Sequence, residues 1–254
     1  MATAAEQPAN TAASQARRPG KRALDAFGGG VPMALLALAV TALGFWRTFF
    51  AQLGNIDAVH MWHGASATGW LVLVLVQASL ISSRKPKWHR ALGWASVLLF
   101  LSVMTSAWTV LAMMLAGKGA PMPFEFAKLF ALSDVTALPL FIIAYAAAIW
   151  FRKDRHLHSR LISITLLAGL LPASARMFNR IWTGLDGLIF SMHPTYLLNL
   201  AVLGIAIFID WRKDRLRWPF PFAFAWTAIA YLIEFTAWHS AWFDWLAKAI
   251  ATTA

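Results

Sequence analysis

The chain has 254 residues, 59% of them hydrophobic and only 13% charged, with a mean hydropathy of +0.60, whereas about a quarter of a soluble domain is charged. These values exclude a water-soluble globular domain and describe an integral membrane protein. The absence of cysteine removes disulfides, thiolate zinc, iron–sulfur clusters, covalently attached haem and blue copper, so any metal would have to be held by His, Met or carboxylate.

The net charge of +11 is a matter of topology, not of nucleic-acid binding. Sixteen of the 22 basic residues fall into four clusters, each abutting an apolar block: Arg17, Arg18, Lys21, Arg22; Arg84, Lys85, Lys87, Arg90; Arg152, Lys153, Arg155, Arg160; and Arg212, Lys213, Arg215, Arg217. The positive-inside rule places all four on the cytoplasmic side.

In chain order, residues 1–27 read as a disordered cytoplasmic tail, rich in Ala, Gln, Ser and Thr. Residues 28–254 read as a membrane domain. Apolar blocks of roughly 20 residues, the length a helix needs to cross about 30 Å of hydrocarbon, predict seven spans: 31–51, 59–82, 91–115, 128–150, 160–179, 190–210 and 222–245. No period-2 alternation suggests a barrel. The expected fold is therefore all-α, an integral membrane bundle of about seven transmembrane helices with a cytoplasmic N-terminus and a periplasmic C-terminus, in a bacterial inner membrane. No lysine is expected inside a span, which argues against a retinal Schiff base.

The second span carries His60-Met-Trp-His63-Gly64, then Trp70 and Gln77. His63, Trp70 and Gln77 recur every seven residues, within about 40° of one helix face over four turns, and His60 lies one turn away. Such a stripe must face the bundle interior, because hydrocarbon cannot satisfy it. The outer half of the bundle gathers further ionisable groups: Arg47 ending the first span, Asp134 in the fourth, Arg176 ending the fifth, His193 opening the sixth, and Glu234 and His239 in the seventh. Pro194 after His193 suits the first turn of a helix. Thr227, Tyr231, Glu234 and Trp238 share a face of the seventh span, and a second polar stripe implies a cavity.

Three occupants suit that cavity. A b-type haem needs two axial ligands on facing helices, for which His63 with His193 or His239 are the outer candidates. A mononuclear metal would draw on His60, His63 and His193, with Met61 and Met192 beside them, an arrangement that suits copper. A quinone or lipid headgroup among Arg47, His60, Trp70 and Arg176 needs no metal. Asp134 and Glu234 then handle protons, or form structural ion pairs with the arginines. At the cytoplasmic end, His89 with His156 or His158 would serve a second haem; lipid-phosphate anchoring explains the same residues. His89-Arg-Ala-Leu92 and His158-Ser-Arg-Leu161 each open a span after a basic loop, an internal echo between two helical hairpins.

The run Gly44-Phe45-Trp46-Arg47-Thr48-Phe49-Phe50, the His60 to Gly64 segment, Trp70, Gln77 and His89-Arg90-Ala-Leu92-Gly93 resemble a widespread set of functionally uncharacterised bacterial multi-pass membrane proteins. In that set an H-x-H-G or similar motif, W, Q and HR-x-LG recur in this order. His158-Ser-Arg-Leu161 and Ala175-Arg176 resemble its later segments, so the likeness covers about residues 44–176. A more distant resemblance, in the plan of helices with His near both faces, is to ascorbate-reducible two-haem cytochromes b. Two functions are expected: a membrane redox protein binding haem b or a metal and exchanging electrons with quinone, or a non-catalytic accessory subunit or small-ligand or lipid sensor of a larger membrane complex. Fourteen Trp exceed what two aromatic belts require and suit protein or pigment contacts.

Overall fold

The computed structural model describes residues 30–118, 122–181 and 184–254, with the side chains of 184–188 excepted; the expected tail at 1–27 lies outside these. The described residues form helices only: α1 (Val31–Phe45), α2 (Ala58–Ser82), α3 (Pro86–Leu115), α4 (Phe124–Trp150), α5 (Arg155–Phe178), α6 (Gly184–Arg212), α7 (Pro219–Ala237) and α8 (Ala241–Ala251), with a short 3₁₀ turn at Phe50–Gln52. α2 to α7 are each long and apolar enough to cross a membrane, and α1 is a shorter apolar helix. The protein is thus a multi-pass helical membrane protein.

Helix starts follow local chemistry. The carboxylate of Asp57 accepts from the backbone N–H of Val59 and His60, both at 3.1 Å, and Asp154 accepts from His156 and Leu157 at 2.9 and 3.1 Å; each satisfies N–H groups that a first turn leaves unpaired. Pro86 and Pro219 occupy the first positions of α3 and α7, where a missing N–H costs nothing. α2 ends with Arg84 in the left-handed region (φ 59°) and Lys85 N–H reaching back to Leu80 O at 2.8 Å, and α6 closes the same way through Asp214 (φ 51°) and Arg215.

Several expected boundaries move. The first span ends at Phe45 instead of residue 51. α3 and α5 start five residues before the apolar blocks, because proline and an aspartate cap let the basic interface residues join the helix. α6 begins at Gly184, so Pro194 sits inside a continuous helix and not in its first turn. The seventh block divides at Trp238–Ser240. α7 already has 19 residues, about 28 Å at 1.5 Å per residue, and has crossed the hydrocarbon before Asp244 is reached. α8 instead turns Phe243, Ala247 and Ile250 inward against α3 and α4 and leaves Trp242 and Trp245 exposed, as an interfacial helix does. Lys128, the first residue of the expected fourth span, lies in the second turn of α4, 2% exposed, and is ion-paired with Glu125 at 2.9 Å and with Asp244 of α8.

α5 is the central helix, packed by α1, α4, α6 and α7. Gly44 of α1 lies directly on the Ala173 carbonyl, where any Cβ would overlap it; small residues permit this approach in a membrane. Arg160, which the sequence places in a basic cytoplasmic cluster, is 2% exposed and forms a bidentate pair with Asp210 of α6, its Nη2 donating to Oδ1 at 2.6 Å. Trp70 is buried at 2% among Phe100, Phe141 and Tyr145 and donates to Thr165 Oγ1 on α5 at 3.2 Å.

Contacts sort the loops into two ends. Phe151–Trp218 and His89–His158 ring contacts bring the basic loops after α2, α4 and α6 to one end. Arg176 over the Phe45 ring at 4.6 Å, and Trp108 bonded to Thr253, mark the opposite, His63 end.

Candidate functional site

The polar stripe of α2 does face inward, but its members serve three different places. At the His63 end, His63 Nδ1 shares a hydrogen bond with Ser106 Oγ of α3 at 3.2 Å, and Ser106 meets Ser66 at 3.1 Å. Trp70 is bound to the middle of α5, and Gln77 lies near the other end, its amide nitrogen beside Gly93. His60 caps the stripe at the surface, its Nδ1 2.6 Å from Asp57 Oδ2. Asp57 lies outside the span, and the backbone N–H of His60 and the His60 ring hold its carboxyl below the usual carboxylate range.

Arg176 is the residue around which the other charges gather. It lies in the last turn of α5, its Nη1 donating to Pro172 O at 3.1 Å and its guanidinium lying over Phe45. Its side chain is exposed at the end of α5. His63 of α2 and Asp134 of α4, both half-buried, stand within electrostatic reach of it. Arg176 and Asp134 do not form a direct ion pair among the described residues: the guanidinium bonds a carbonyl, and the charge on Asp134 is felt across a gap. A closed structural pair of Arg176 with Asp134 or Glu234 is not what the chain builds. Arg47 stands exposed in the turn after α1.

Beyond Asp134, the polar groups continue into the bundle. Glu234 of α7 is 0% exposed and within electrostatic reach of Asp134. Its Oε2 accepts from the hydroxyl of Tyr196 of α6 at 3.1 Å, and its Oε1 has no partner among the described residues. The Tyr196 ring lies 5.2 Å from that of Tyr231, whose hydroxyl shares a 2.8 Å hydrogen bond with His193 Nδ1. The His193 ring stacks on Phe235 at 4.1 Å. Five helices thus contribute to one polar system: His63, Arg176, Asp134, Glu234, Tyr196, Tyr231 and His193.

The candidate metal ligands are not assembled with one another. His60 bonds Asp57, His63 bonds Ser106 and His193 bonds Tyr231, and among the described residues no group of three or more His, Asp or Glu side chains could hold a metal ion. His239 is exposed, 3.8 Å from Glu125 and packed on Trp238, away from His63. Nor do Arg47, His60, Trp70 and Arg176 enclose a common space, since Trp70 is sealed in the core. Tyr196, Ser66 and Ser106 were not singled out by the sequence. Tyr196 follows His193 by three residues and so shares its face, the signal that was there to read.

No family model, curated protein or solved structure matches the chain.

Proposed function

We propose that the protein binds the polar head of a quinone at its His63 end, between Arg176 and His63, without a metal. The carrying observation is Arg176: exposed at the end of α5, bonded to a backbone carbonyl instead of closing onto a carboxylate, and within electrostatic reach of His63 and Asp134. A guanidinium and an imidazole are hydrogen-bond donors suited to carbonyl oxygens, and a few polar groups close together at one end of an apolar bundle suit an apolar molecule with one polar end. Glu234 and Asp134, with Tyr196, Tyr231 and His193, then serve as the route and store for protons that a quinone head exchanges. The positive-inside rule, applied to the basic loops at the opposite end, supports reading this end as periplasmic in a bacterial inner membrane.

Titrating the purified protein in nanodiscs with a short-chain benzoquinone, and following tryptophan fluorescence, tests this. Saturable quenching should weaken at least tenfold in Arg176→Gln and in His63→Ala and persist in Arg47→Gln. Equal quenching in wild type and Arg176→Gln contradicts the assignment. A reduced-minus-oxidised spectrum of the same sample tests the haem alternative: a sharp α band would replace a metal-free site by a haem-bearing one.

A further inference from the structure

At the opposite end of the bundle a second group of side chains is left over from everything above. His89 and His158 open their helices in the same way: His89 is the fourth residue of α3 and His158 the fourth of α5. The fold brings the two together, their rings perpendicular and 6.2 Å apart between centres. His158 Nδ1 sits 2.9 Å from Ala148 O, so this nitrogen carries the proton and Nε2 holds the lone pair. The His89 ring lies against the backbone carbonyl of Gln77, and its Nδ1 is buried without a partner among the described residues. Gln77 Oε1 is likewise buried and unpartnered, with its amide nitrogen near the open face of Gly93, one turn along from His89. Buried polar atoms are rarely left unpaired; here a lone-pair nitrogen and an acceptor oxygen are orphaned next to a second imidazole with a lone pair of its own.

We propose that His89, His158 and Gln77 form a binding site for a divalent late transition-metal ion of the copper, nickel and zinc class. Three lone-pair donors on neighbouring residues of one end of the bundle suit a cation, and imidazole nitrogen selects these metals over magnesium or calcium. At metal–nitrogen distances of about 2 Å, two imidazoles on one ion have ring centres roughly 5 to 6.5 Å apart, which includes the observed separation. Each imidazole is oriented by a backbone carbonyl at its other side, as metal-bound histidines are. The symmetric positions of the two histidines, one on each of two helices that follow basic loops, give the repeated His-x-x-Leu pattern a physical purpose.

The test uses the full-length protein with any affinity tag removed, loaded with Cu²⁺, desalted, and measured for retained copper and for its electron paramagnetic resonance spectrum. One copper per chain should be retained, with hyperfine structure from two nitrogen donors. His89→Gln should lower retention at least tenfold, as should His158→Gln, whereas His60→Gln and His239→Gln should retain the full amount. Copper retained equally by His89→Gln and wild type overturns the proposal, as does retention that falls only with the exposed histidines. Should His158→Gln fail to fold, Gln77→Leu supplies the third arm, with a changed spectrum expected and an unchanged one removing Gln77 from the site.

Discussion

A guanidinium buried to 2% beside an equally buried carboxylate, as Arg160 is beside Asp210, has no water to replace a lost partner. Arg160→Leu should therefore destabilise the bundle by about 3–5 kcal/mol, while Arg160→Leu with Asp210→Leu recovers most of the loss, since two apolar groups leave no buried charge; denaturant unfolding in micelles measures both. The cap at Asp154 acts on a smaller scale. Asp154→Ala should cost about 1 kcal/mol. The backbone N–H groups of Leu157 and His156 hold the Asp154 carboxyl below its usual value of 3.8, so the ionised form is favoured by folding. Its contribution is fully present above that usual value and disappears as pH falls through the lower, folded one. Thermal unfolding of wild type and Asp154→Ala should accordingly differ by a constant gap from pH 5 to 8 that closes in strong acid; a gap widening in acid would refute this. At this scale the sequence was read unevenly. Asp134, Arg176 and Glu234 stood out because charge inside an apolar block is conspicuous. Arg160 was hidden among basic loop neighbours, and its pairing depends on Asp210, 50 residues away.

Among the elements, the contact of α1 with α5 rests on a glycine. A side chain at position 44 would enter the Ala173 carbonyl, so Gly44→Leu must push α1 off the central helix, at about 1–3 kcal/mol, the usual range for overpacking. Faster hydrogen exchange in α1 with little change in α3 is the expected signature; uniform exchange would mean that α1 is held by other contacts. Six of the seven expected spans were legible as apolar blocks because length and hydropathy alone define them. Their ends were less so: caps at Asp57 and Asp154 and prolines at helix starts extend helices past the apolar run. The break between α7 and α8 was lost because the aromatic residues Trp238, Trp242, Phe243 and Trp245 carry the block past His239, Ser240 and Asp244; what separates the two helices is the distance already crossed by α7 and the Lys128–Asp244 pair, a tertiary fact.

The whole molecule divides its polar residues between two ends, and the seven-residue stripe of α2 runs from one to the other. Periodicity showed that His63, Trp70 and Gln77 share a face; it did not show that the face meets α3 at His63, α5 at Trp70 and the start of α3 at Gln77, so the stripe read as one site is a chain of three environments. The nearness of His63 and Asp134 to Arg176, continued from Asp134 through Glu234 and Tyr196 to Tyr231 and His193, is the feature that the account of function rests on. The most direct test is photolabelling of the protein in nanodiscs with an azido-substituted benzoquinone, followed by peptide mapping. Label competed away by unmodified quinone should fall on peptides from the start of α2 and the end of α5, near His63 and Arg176. Label confined to the lipid-facing surface of α3, or indifferent to competitor, would contradict a quinone site at this end.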